Sequence, residues 1–194
     1  MRCFLILLAG VGLALAGIHL VGCSSSVDLS GCFNGTTNLQ LIASPSTVTA
    51  WRTDAWFKGD GNFSPEELYQ RGEPPVVVST NLAAELSKLL LNKRTYDFHP
   101  GTAKSSIAEP CVVVTFSNST RGLDVFFSFA DNSLLVKLDQ LSPLGHQFTG
   151  ADFDPSRGKL VRLVKKIFPE DKRMQALSET RANGALWPDP SAAK

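Results

Sequence analysis

The sequence carries almost no excess charge of either sign: 19 Lys and Arg stand against 18 Asp and Glu. Without a surplus of cations there is no electrostatic footprint for a phosphate backbone, so no nucleic-acid partner is expected. Histidine and cysteine are scarce, with three and four residues. The soft ligands His99, His146, Cys32 and Cys111 are scattered rather than set at the short spacings that announce zinc, so no metal site is nominated. There is no Gly-x-Ser-x-Gly elbow, and neither His99 nor His146 has a neighbour suited to nucleophilic catalysis. No catalytic residue and no cofactor are nominated, and no internal repeat is visible. Apolar residues, by contrast, are plentiful: 43% of the chain is hydrophobic, with twelve Phe. That composition belongs to a folded domain, because disordered chains are poorer in apolar side chains and richer in net charge.

Only one long hydrophobic run occurs. It extends from Cys3 to Val21 behind the basic start Met1-Arg2, and closes on Leu20-Val21-Gly22-Cys23 before three serines. A basic start, an apolar stretch and small residues at a cut site describe a secretory signal. A membrane-spanning helix needs about 20 apolar residues, and His19 with Gly10, Gly12, Gly17 and Gly22 weighs against that alternative. Leu20-Val21-Gly22-Cys23 resembles the lipobox of bacterial lipoproteins. The resemblance implies cleavage before Cys23, acylation of Cys23 by palmitate-type chains, and a membrane partner held through that lipid anchor. Ser24 behind the Cys implies sorting in diderm bacteria to the outer membrane, facing the periplasm. The expected organisation is a signal peptide at 1–22, a lipidated Cys and tether at 23–44, one α+β domain at 45–180, and a frayed tail at 181–194.

On this reading Cys3 leaves with the signal and Cys23 is consumed by lipid. Cys32 and Cys111 remain, in a compartment where disulfides persist. A Cys32–Cys111 bond is expected, and it would close a long loop for about 4–5 kcal/mol in the chain-entropy picture. The alternative keeps both thiols free, with Cys111 buried as a small hydrophobe.

Asn34-Gly35 is a turn signal within the tether. Rough alternation predicts a strand from Thr47 to Trp56. Ser64-Pro65-Glu66-Glu67 predicts a short capped helix. Val76–Val78 is extended, and Ser79 or Thr80 caps a helix to about Asn92 with Leu82, Leu86, Leu89 and Leu90 on one face. Three strands follow, Cys111–Ser117, Leu123–Phe129 and Leu134–Leu138, joined by hairpin-type connections. Asp154-Pro155 starts a helix through Leu160, Val161, Val164, Ile167 and Phe168 that Pro169 stops, and a shorter helix carries Met174 and Leu177. The order β-α-β-β-β-α implies α+β architecture: an antiparallel sheet of about four strands with helices on one face.

Thr49-Ala50-Trp51-Arg52, the helix Leu82–Leu91 leading to Tyr96, Cys111 opening a strand, the Phe126–Val136 hairpin and Asp154-Pro155 to Phe168-Pro169 recur in that order in an uncharacterised family. The chain resembles these small exported bacterial α+β proteins over roughly residues 45–178. They often carry Cys-Phe-x-Cys in the central hairpin. Ser128-Phe129-Ala130-Asp131 stands there instead, so no thiol or metal role follows from the resemblance.

Two other patterns invite a chemical reading. Asp60-Gly61-Asn62-Phe63-Ser64-Pro65-Glu66-Glu67 mimics the second half of a calcium loop, but its first and third ligand positions fall on Trp56 and Lys58, which cannot serve. Asp124, Asp131, Asp139, Asp152 and Asp154 gather near the hairpin, and paired acids run glycoside hydrolysis. Strand surfaces and caps account for them equally well. Lys159, Arg162, Lys165 and Lys166 form the polar side of an amphipathic helix, which ordinarily is a solvated face. The expected function is therefore a non-catalytic envelope lipoprotein that binds or supports another envelope protein. An inhibitor or immunity-type protein and a wall or glycan hydrolase are the alternatives.

Overall fold

Residues 112–137 alternate apolar and polar side chains on either side of short polar turns, and a chain of that kind pairs with itself in hairpins. The computed structural model describes residues 28–53, 71–72, 74–98, 110–137 and 148–180. It shows an α+β domain with one antiparallel sheet. The strands are β1 (Thr47–Arg52), β2 (Val76–Val77), β3 (Val112–Ser117), β4 (Gly122–Ser128), β5 (Ser133–Lys137) and β6 (Phe148–Asp152), in the order β2-β1-β3-β4-β5-β6. The expectation of about four strands is thus corrected to six among the described residues. The strand missed is β6, whose Phe-Thr-Gly-Ala-Asp lacks the β-branched alternation of the others and is half-buried throughout.

Register sorts the side chains cleanly. Ala50, Val114, Val125, Val136 and Thr149 form one cross-strand row, and Phe127 and Leu134 fall on the same face. Helices cover this face: α3 (Thr80–Leu90) and α4 (Arg157–Ile167), with the single turn α5 (Lys172–Gln175) behind Asp171. Leu86, Leu90, Leu160, Val161, Val164 and Ile167 join the sheet residues in one cluster. Phe127, Phe129 and Phe153 meet edge to face or offset, with centroids 5.4–6.5 Å apart, arrangements favoured by the ring quadrupole. On the opposite face Trp51, Val113, Phe126 and Leu135 align across four strands, and Val113 and Phe126 are buried as well.

The tether expected at 23–44 is corrected from Asp28 onward. Residues Leu29–Cys32 and Thr36–Ala43 are helices, α1 and α2, separated by Asn34 and Gly35 at φ 55 and 108. Asn and Gly adopt those positive values with the least strain, so the turn signal was sound while the element class was not. Leu29, Phe33, Leu41 and Ile42 lie in the main core. Phe33 meets Tyr96 edge to face at 6.2 Å, and the Tyr96 hydroxyl donates to the Leu90 carbonyl at 2.7 Å. The described core runs from Leu29 to Leu177, so it draws on nothing from the signal segment.

Helix boundaries differ in instructive ways. Ser79 is the N-cap of α3 without a side-chain hydrogen bond. Asn92 instead caps a 3-10 turn, Lys93–Thr95, through Arg94 N–H. Asp154 does not cap α4: it opens a 3-10 turn, and its carboxylate accepts from the Asn132 amide. The helix expected from Ser64, the calcium-like stretch 60–67 and the tail 181–194 lie outside the described residues.

Candidate functional site

Cys23 and its box lie outside the described residues, as do His99, His146 and Asp139. Among the described residues no helix is long and apolar enough to cross a membrane, and no group of three or more His, Cys, Asp or Glu could hold a metal ion.

Both described cysteines are free thiols, so the expected Cys32–Cys111 bond is not formed in the structure. Strand order gives the reason. Cys32 ends α1, where Gly31 accepts a hydrogen bond from the Thr149 hydroxyl of β6 at 2.8 Å. Cys111 leads into β3 and donates its N–H to Phe127 of β4. From β3 to β6 is three strand spacings, about 14 Å, whereas bridged Cα atoms lie within about 7 Å. Burial pushes the Cys111 thiol up to about 12, which makes it inert near neutral pH. Burial, and secondarily the Asp28 carboxylate, also pushes the Cys32 thiol up. Neither environment is that of an activated nucleophile.

The hairpin carboxylates have structural employment. Asp124 accepts from the Thr115 hydroxyl and pairs with Arg71, whose guanidinium lies 4.4 Å above the Trp51 ring. Asp131 accepts from Ser133 N–H and hydroxyl at 3.2 and 2.8 Å. Asp152 accepts from Asp154 N–H at 2.8 Å, and Asp97 N–H donates to the Asp152 carbonyl at 2.9 Å, closing the outer edge of β6. Asn132, buried and at φ 59, is the hub: its side chain donates to Asp154 and accepts from Arg157, while its carbonyl accepts from Phe153 N–H at 2.8 Å. Arg157 also donates to the Phe129 carbonyl at 2.5 Å and to the Ser178 carbonyl at 3.1 Å. The sequence marks these residues individually. Their assembly into a clamp joining β5, β6 and α4 depends on the unrecognised strand β6.

Two open clefts remain. The larger, of about 640 Å³, lies between the β1–β2 edge and the α4–α5 turn, with Arg52, Pro74, Val76, Phe168, Pro169 and Arg173 on its walls. Asp171 spans its floor: one carboxylate oxygen takes the N–H groups of Arg173 and Met174 at 2.9 and 3.1 Å, the other pairs with Arg52 at 3.1 Å. The smaller, of about 330 Å³, lies between α3 and α4 and is lined by Lys88, Lys159, Arg162 and Lys166 with Glu85. Both mix cations and apolar walls without two convergent carboxylates, an arrangement suited to holding an anionic or amphipathic group rather than to acid–base cleavage. Comparison with protein-family models, curated proteins and solved structures finds no match.

Proposed function

We propose that the protein is a non-catalytic lipoprotein of the bacterial cell envelope, anchored through Cys23 at the outer membrane and facing the periplasm, whose domain binds or supports another envelope protein. The observation that carries the proposal is Leu20-Val21-Gly22-Cys23, placed behind a basic and apolar leader and five residues ahead of the point where the folded domain starts. The carboxylates that could have served a glycan hydrolase are held in hairpin and strand-edge contacts, which favours a binding module over an enzyme. More than one acyl chain on Cys23 gives stable attachment, since a single chain holds only marginally.

Metabolic labelling with an alkyne fatty acid tests the anchor. Wild type becomes labelled and partitions with membranes, while Cys23→Ser remains unlabelled; equal labelling of the two would overturn the assignment. Crosslinking of the anchored protein in its own membranes then separates a resident envelope partner from a secreted enzyme, the partner required by the immunity-type alternative.

A further inference from the structure

The positive charge of this nearly neutral chain is not evenly spread. Helix α4 carries Arg157, Lys159, Arg162, Lys165 and Lys166 and no acid. Lys159, Arg162 and Lys166 face Lys88 of α3 across the smaller cleft. Glu85 meets Lys166 at 3.5 Å and Glu179 pairs with Arg162, but Lys88 and Lys159 make no ion pair among the described residues. Lys93 and Arg94, exposed just beyond α3, extend the same surface. Clustered like charges repel one another, so an arrangement of this kind gains from an anionic counterpart.

The path of the chain says where that surface points. The folded domain starts at Asp28, and α1 ends against the segment that follows α3: Phe33 packs on Tyr96, the residue after Lys93–Thr95. The Asp28 carboxyl, held low mainly by its hydrogen bonds from Ser30, also feels the Lys93 ammonium. Cys23 precedes Asp28 by five residues, a reach of at most about 18 Å. A lipid on Cys23 would therefore hold the bilayer close to the end of α3 where the cations begin.

We infer that the α3–α4 basic face is the surface with which the anchored protein rests on a bilayer containing anionic phospholipids. This rests on the lipoprotein reading above. The apolar side of α4 is in the core, where Leu160, Val161 and Val164 are buried. The helix therefore offers the membrane charge rather than an insertable face. The attraction falls off within a Debye length and weakens with salt.

The test uses the mature chain from residue 23 with Cys23→Ser, which retains the whole described core. It is sedimented with vesicles of phosphatidylcholine alone, or of phosphatidylcholine mixed equally with phosphatidylglycerol. The expected result is binding to the mixed vesicles only, lost as salt rises. Lys88→Gln and Lys159→Gln each weaken it roughly fivefold, at about 1 kcal/mol per cation. Lys137→Gln, on the opposite sheet face, leaves it unchanged, and all three variants keep the wild-type melting temperature. Equal binding to both vesicle types, or indifference to Lys88 and Lys159, overturns the inference. So does binding to soluble polyglutamate without binding to the mixed vesicles, which would assign the face to an acidic protein segment. Failure of fatty-acid labelling with vesicle binding intact removes the anchor but leaves the surface; labelling without vesicle binding does the reverse.

Discussion

Replacing Phe33 by Ala separates a domain that begins at Asp28 from one that begins at Thr47. Phe33 is fully buried and meets Tyr96 edge to face at 6.2 Å. Removing a buried Phe costs about 3–5 kcal/mol through lost transfer energy and the cavity left behind. Within that sum the ring pair accounts for about 0.5–1.5 kcal/mol. Against a total stability of about 5–15 kcal/mol for a typical domain, the loss is large. For a chain of this size it corresponds to a fall in Tm of roughly 6–20 °C. Urea titration followed by Trp fluorescence measures it, with Thr37→Ala on the exposed side of α2 as the control, expected within about 0.5 kcal/mol of wild type. If Phe33→Ala changed stability no more than Thr37→Ala, α1 and α2 would not belong to the core and the tether would extend to Thr47.

Gly150→Ala should destabilise by about 2–3 kcal/mol, because a Cβ there runs into the Leu134 carbonyl of the neighbouring strand and β6 must shift. A urea midpoint equal to wild type would mean that 148–152 does not pair with β5. Asn132→Ala should cost about 1–2 kcal/mol more than Asn132→Gly, since both lose the clamp but only Ala is strained at φ 59; equal melting temperatures would refute the positive-φ argument. The Cys111 thiol stays protonated to about 12 in the folded state, against a model value of 9.0. The unfolded state therefore loses its proton first, and stability falls as pH rises through that window by about 1.4 kcal/mol per pH unit. Cys111→Ala should flatten the decline, and superimposable pH–stability curves for the two proteins would contradict it.

The elements that sequence reveals best here are those whose periodicity is set by one buried face. Strands β3, β4 and β5 alternate strictly because helices cover only one side of them fully, and α4 presents Leu160, Val161, Val164 and Ile167 at helical spacing. The misses share a different cause. In α2, Thr36, Thr37, Asn38 and Gln40 look like linker composition, yet Leu41 and Ile42 insert into the core and Asn38 is buried, donating to the Phe33 carbonyl at 2.8 Å. In β6 a Gly sits where the neighbouring strand approaches closely, so the residue that permits the pairing is the one that argues against a strand. The free thiols follow from those misses: with β6 and α1 unrecognised, nothing separated Cys32 from Cys111. The basic side of α4 was visible in sequence, but its juxtaposition with Lys88 and with the start of the domain required the fold.

The most direct measurement is the mass of the first peptide of the mature protein, purified from its own envelope and digested. The account predicts that the chain begins at Cys23 and that this residue carries acyl mass, with residues 1–22 gone. A chain that retains Met1, or one that begins elsewhere with an unmodified Cys23, would contradict it.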